Sequence, residues 1–305
     1  MRAPYFFERI EWVYFNWLYS LGVLLHPTQS AQAVNRHTSR INGDFPRENA
    51  NGIIFSACND YFLDRFGYNL VLSCYERAHE CSVHLHLYEP SAVTFRRLES
   101  MRSQFPDLKL SYTYESDIDF GTLPERGMYY TAFRFVAARR LLEESKSSVI
   151  CLDADSLIMN SLQDVIAEAR QHDVGLYLRP EKRRVTKKIA AFAVILNPTQ
   201  KALAFIDMFS AIAIKFHSRY PKLRWIFYFD QSALYLCFLL SSLRGRTSFY
   251  RLRKSVVDFE FSAAACIWTA KGRRKNDAVF LTESRRIMER YHWGHHDHAG
   301  LAASR

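Results

Sequence analysis

Residues 148–158 read SSVICLDADSL, an apolar run that ends abruptly in two aspartates separated by one alanine. Along an extended chain, side chains two apart point the same way, so Asp153 and Asp155 are expected to face one crevice with Ala154 turned aside. Two such carboxylates offer hard oxygen ligands to Mg²⁺ or Mn²⁺, and the ion can in turn neutralise a diphosphate. The plainer account is a strand end followed by a helix cap. What separates the two accounts is the setting, because a metal site of this kind belongs at the end of a buried strand in an α/β crevice.

The setting can be read from the chain. IIFSAC (53–58), VHLHLYEP (83–90), LKLSYTY (108–114), VICL (149–152), VGLYLRP (174–180) and AFAVILNP (191–198) read as strands. Helical patterns separate them, over about 60–77, from Ser91 to about 103, over 129–145, 161–170 and 199–216. Over 129–145, Phe133, Ala137 and Leu141 share a side, as do Ala202, Ile206, Phe209, Ala213 and Phe216 over 199–216. A further helix is expected from about Asp230 to Leu243, followed by short β-rich pieces at 248–252, 256–261 and 264–270. Strands alternating with helices predict an α/β fold: a mostly parallel sheet flanked by helices, with a smaller mixed β-rich part near the C-terminus. In such sheets ligands sit at the carboxyl ends of the strands, which places 56–60, Asp153–Asp155 and the end of 191–198 together.

Composition sets outer limits. The 305 residues are 49% hydrophobic and 24% charged, ordinary globular values that exclude wholesale disorder. Lysine and arginine outnumber acids 41 to 31, and the excess is clustered: six basic residues against one acid over 179–188, and 12 against 5 over 244–290. Such clusters suit phosphate-bearing partners. The six cysteines form no CxxC pair, which predicts reduced thiols in a cytoplasmic protein. WVYFNWLYSLGVLL (12–25) is uncharged but shorter than the roughly 20 residues of a membrane span. Phe7, Ile10, Tyr14, Trp17, Leu21 and Leu24 mark one helical face, either packed on the main domain or lying in the plane of a membrane. The expected organisation is an aromatic helix and polar linker (1–52), a main domain (53–280) and a basic, His-containing tail (281–305).

The segment YYTAFRFVAARRLLEESKSSVICLDADSLIMNSLQDV (129–165) resembles the centre of GT-A fold glycosyltransferases, especially glycosyltransferase family 8, and the similarity runs from Ile53 to about Lys275. The resemblance implies a nucleotide-sugar donor, a UDP-sugar by preference, and Mn²⁺ or Mg²⁺ at Asp153 and Asp155, with Ala154 between them. Arg134 matches an arginine beside the nucleotide sugar. Ala57, Asn59 and Tyr61 in IIFSACNDY match the loop that holds the uracil, and Asp230 and Gln231 match a pair that contacts the transferred sugar. Gly272 and Lys275 in TAKGRRK match a glycine and a lysine serving the departing diphosphate.

Two departures stand out. Thr269 occupies the place of a metal-binding histidine, for which HWGHHDH (292–298) is one substitute, and Phe192 falls where a glycine gives the donor sugar room. The expected activity is a metal-dependent transfer, with retention, to a glycan or glycolipid acceptor, at a membrane surface in the cytoplasm. The alternatives are an impaired nucleotide-sugar-binding or scaffold protein of the same fold, a nucleotidyltransferase, disfavoured because FSACND lacks glycine, and a nucleic-acid binder, for which no motif is present.

Overall fold

The apolar runs become the strands of one mixed sheet. A computed structural model describes residues 27–118, 120, 126–219, 228–245 and 247–293. The sheet strands are β1 (Asn42–Gly43), β2 (Ile53–Asn59), β3 (Ser82–Tyr88), β4 (Leu110–Glu115), β5 (Val149–Leu152), β7 (Val174–Leu178), β8 (Ile189–Leu196) and β9 (Phe249–Arg251). Their order is β1-β4-β3-β2-β5-β8-β7-β9. A three-stranded sheet joins β10 (Val257–Asp258), β11 (Ile267–Thr269) and β6 (Ser156–Ile158). The helices are α1 (Pro27–Thr38), α2 (Asp60–Phe62), α3 (Tyr68–Arg77), α4 (Ala92–Gln104), α5 (Arg126–Ser145), α6 (Gln163–Ala169), α7 (Gln200–Arg219), α8 (Phe229–Leu243) and α9 (Ala278–Arg290).

Alternation along the strands feeds two cores. Ile54 joins the apolar cluster shared with α3, α4, α6 and α9, while Ile53 and Phe55 join the one shared with α1, α5, α7 and α8. On α5, Phe133, Ala137 and Leu141 are buried as the periodicity predicts, and Phe135 meets Phe209 of α7 edge-on at 5.0 Å. The sheet is parallel from β4 through β3 and β2 to β5, but β8 runs antiparallel to both β5 and β7. That direction corrects one expectation. It is the beginning of β8, not its end, that lies beside the carboxyl end of β5, with Leu152 opposite Ala193.

The stretch read as a linker over 26–52 contains α1, whose Val34 is buried, and β1, which extends the sheet antiparallel to β4. The basic tail likewise begins as α9, with Phe280 and Ile287 buried and Arg286 and Arg290 paired to Glu76. The aromatic face over 7–24 and the histidines beyond residue 293 lie outside the described residues. Among the described residues no helix is long and apolar enough to cross a membrane.

Between β3 and β4 the core is polar. His84 and His86 emerge on one face and bond the hydroxyls of Ser111 and Thr113 at 2.8–3.0 Å. The chain of contacts continues through Glu115, which receives the Tyr129 hydroxyl at 2.7 Å and lies 3.5 Å from His37 of α1. His84 is fully buried between the rings of Phe45 and Phe55. Burial first, then the neighbouring His86 and Arg102, push its pKa from 6.5 down to about 3. The folded chain therefore refuses a proton that the unfolded chain accepts, and stability is lost as pH falls below 6.5, at about 1.4 kcal/mol per pH unit. Urea unfolding at pH 7 and pH 5 is expected to show this loss, and His84→Gln should remove about 2 kcal/mol of the difference. An unchanged pH dependence in the variant would contradict the neutral, buried histidine.

Candidate active site

The carboxyl ends of β2 and β5 form the floor of the site. Ser56 pairs in register with Leu152, its hydroxyl donating to the Leu152 carbonyl at 3.1 Å, so Ala57–Asn59 overhang the end of β5. Asn59 caps α2 by accepting from the Phe62 amide at 3.1 Å. Asp60 accepts from the Ser91 amide and the Thr94 hydroxyl, fastening this loop to α4. Ala57 is half-buried, whereas Tyr61 is 58% exposed, with its hydroxyl 2.6 Å from Arg65. A core role for Tyr61 is thereby ruled out.

Beyond Leu152 the chain turns. The Ser156 amide bonds back to the Asp153 carbonyl, and the Asp153 amide to the carbonyl of Phe192 on β8. The two aspartates thus stand on a turn rather than on a continuing strand, and each meets a different cation. Asp153 is paired with Arg134 of α5. Asp155 is paired with Lys275 at 2.7 Å. Ala154 between them is buried in the apolar core.

Arg134 is the hub. It is 6% exposed, and besides Asp153 it donates to the Ala191 carbonyl at 2.7 Å and to Asp230 at 3.3 Å. Burial alone would depress its pKa, but the attraction of Asp153 and Asp230 raises it. Asp230, at the first turn of α8, also accepts the Gln231 amide at 2.8 Å, and burial raises its pKa against the pull of Arg134. Gln231 accepts from Arg179 at 3.1 Å, a partner that the sequence pattern did not single out, although it opens the basic cluster over 179–188. Tyr228, just before α8, has φ +78°, a left-handed conformation costly for a residue with a side chain.

The third wall comes from the C-terminal part. Thr269 is fully buried on β11 opposite Ser156 of β6, and the two hydroxyls are 3.0 Å apart. Gly272 adopts φ +61°, which explains glycine at this turn. The turn delivers Lys275 over the rings of Phe62 and Phe66, at 4.7 and 5.2 Å. Phe62 precedes, and Phe66 belongs to, a five-residue π-helical stretch, Leu63–Gly67, that interrupts the long helix expected over 60–77.

One feature of the donor set suits a divalent cation. Asp155 Oδ1 is buried without a hydrogen-bond partner, and burial first, then Asp153, raise the carboxyl to about 6 against the pull of Lys275. A buried carboxylate oxygen lacking a donor fits a cation. Among the described residues no group of three or more His, Cys, Asp and Glu gathers here, so water or substrate oxygens would complete the coordination. Ser156 already engages the Thr269 hydroxyl.

No protein-family model matches the chain, and no curated protein matches it by sequence. Solved structures do. The galactosyltransferase LgtC, in complex with donor and acceptor sugar analogues, superposes with a TM-score of 0.53 at 14% identity, covering 79% of this chain and 95% of that one. The glycosyltransferase GlyE of Streptococcus pneumoniae TIGR4 gives a TM-score of 0.52 at 11% identity over 80% of this chain. This chain spans 64% of GlyE, less than two-thirds of its length. The sheet, its flanking helices and the small C-terminal sheet are those of the GT-A fold of glycosyltransferases.

Proposed function

We propose that the chain is a glycosyltransferase that moves a sugar from a nucleotide sugar, a UDP-sugar, to a glycan or glycolipid acceptor with retention of configuration. The observation that carries this reading is the continuous line of partners Asp153–Arg134–Asp230–Gln231, set beside the Asp155–Lys275 pair at the carboxyl ends of β2 and β5. The Mn²⁺ or Mg²⁺ that Asp153 and Asp155 would hold supplies charge neutralisation at the donor diphosphate. The exposed ring of Tyr61 is available to stack on a base, with Asn59 and the overhanging backbone at Ala57 beside it. Lys275 and the Gly272 amide serve the leaving phosphate, where negative charge grows. Arg134 orients Asp153 and Asp230 together, Asp230 positions sugar hydroxyls, and Gln231 is held by Arg179 toward the anomeric face. The departing phosphate oxygen takes the acceptor proton, so no separate general base is required. Action at the cytoplasmic membrane surface belongs to the same proposal.

A second reading is favoured by one observation. Thr269 replaces an imidazole with an enclosed hydroxyl already bonded to Ser156, which suits a protein that binds a nucleotide sugar without turning it over. Calorimetry separates the readings. UDP is expected to bind in Mn²⁺ and not in EDTA, in preference to GDP, CDP and ADP. Asp153→Ala and Asp155→Ala should each weaken that binding at least about tenfold, about 1.4 kcal/mol, and abolish hydrolysis of the UDP-sugar. Equal UDP binding with and without metal would overturn the metal assignment, and binding without turnover of any UDP-sugar would favour the second reading.

Arg134 also makes a stability prediction. Arg134→Leu leaves the buried Asp230 and the Asp153 carboxylate without their ion-pair partner, a loss of about 3 kcal/mol in urea unfolding. Adding Asp230→Asn to the variant should restore part of it. Identical unfolding midpoints for the single and double variants would show that the bridge does not couple these groups.

A further inference from the structure

A cavity of about 860 Å³, within the usual size of ligand sites, opens beside Gln231. Gln231, Phe192, Tyr228 and Lys271 line it, and Asp153, Asp155 and Lys275 do not. It therefore meets the reaction centre at the sugar end, away from the residues assigned to the diphosphate. Its walls are partly aromatic. Tyr177 and Phe259, both half-buried, lie 5.3 and 6.2 Å from the buried Phe192 and offer surfaces on which the apolar face of a sugar ring can rest.

The charge around it is lopsided. Seven basic side chains line the cavity against two acids, Glu181 and Glu260. Those acids are engaged by Lys182 and Lys254, which leaves 7 − 2 = 5 cations: Arg179, Lys187, Arg251, Arg253 and Lys271. Among the described residues none of the five has a carboxylate within ion-pairing distance. Lys187, Arg251 and Arg253 are exposed at the rim, while Arg179 and Lys271 are deeper. Burial lowers the pKa of both deeper cations, more than nearby acids restore it. A concave surface of one sign focuses its field on an incoming ion of the opposite sign.

We infer that this cavity is the acceptor site and that the acceptor is an acidic saccharide, carrying a carboxylate or a phosphate that the five cations without an ion-pair partner receive while the half-buried Tyr177 and Phe259 pack on the sugar ring. The inference rests on the glycosyltransferase reading above and deepens it by naming the acceptor's chemical class. A neutral acceptor would leave this charge unanswered.

Two matched pairs of probes test it on the full chain. One is a hyaluronan hexasaccharide with its carboxyl-reduced, neutral form. The other is a phosphomannan pentasaccharide with its dephosphorylated form. With UDP and Mn²⁺ present, the acidic member of at least one pair is expected to bind about tenfold tighter than its neutral twin at 50 mM salt, and most of that gap should close at 500 mM. Which pair shows the gap identifies the anion as carboxylate or phosphate. The double variant R251E/R253E should abolish the preference, and its UDP affinity, titrated in parallel, reports on the donor site.

Equal binding of acidic and neutral members in both pairs overturns the inference, as does a preference that survives the variant. If the variant loses UDP affinity along with the preference, the cavity belongs to the donor and the acceptor assignment falls. If the wild type shows the acidic preference but binds no UDP under any condition, the donor reading fails and the anion-binding cavity stands without it.

Discussion

A guanidinium keeps its charge at any pH a protein meets, so burying Arg134 obliges the surrounding chain to supply acceptors for it. Three elements answer: the turn after β5 with Asp153, the start of β8 with the Ala191 carbonyl, and the first turn of α8 with Asp230. None of the three could move independently without leaving a charge stranded in a poorly solvated place. The position of the aspartate turn, the width of the cavity beside Phe192 and the placement of Gln231 are therefore one geometric fact. Helix α5 can carry such a residue because its other faces are packed, with Phe133, Phe135, Ala137 and Leu141 all buried.

Strand direction then decides what lies across from the aspartates. Were β8 parallel to β5, its far end with Asn197 would border the site. Asn197 instead closes the opposite edge, donating to the carbonyls of Ala169 and His172. The antiparallel arrangement brings Ile189–Phe192 to the carboxyl end of β5, and with them Arg179, which bonds the Ile189 carbonyl as well as Gln231. The same reversal turns the basic stretch after β7 toward the reaction centre. It is the reason a surface charge cluster at 179–188 becomes one wall of a cavity.

Much of this was legible in the residues. The strand and helix segments followed from periodicity, and SSVICLDADSL marked the floor of the site because an apolar tetrapeptide running into carboxylates belongs where a buried strand meets solvent. Strand direction was not legible, since VGLYL and AFAVIL are apolar on both faces whichever way they run. The helices over 27–38 and 278–290 were hidden for another reason: α1 is mostly polar and docks by Val34 and His37, and α9 shows the sequence chiefly its arginines. Asp153 and Asp155 follow the end of β5, but a turn and two separate cations hold them there instead of the continuing strand that alternation assumes.

The charges sort along the site in an order that bears on Thr269. In the candidate site Asp153, Asp155 and Asp230 are ion-paired to Arg134 and Lys275, Lys271 attracts Asp153 and Asp230 from nearby, and one oxygen of Asp155 is left unpartnered. Under the proposed function, a divalent ion held by Asp153 and Asp155 would supply charge neutralisation for the donor diphosphate. An imidazole at position 269 would add a ligand but no charge, so its replacement by a hydroxyl changes affinity for the ion more than the electrostatic logic of the turn. In the cavity that Gln231 lines, the charge imbalance is positive, with cations in excess. Under the proposed function, a carboxylate-rich floor and a cation-rich cavity that meet at Gln231 would give donor and acceptor different partners.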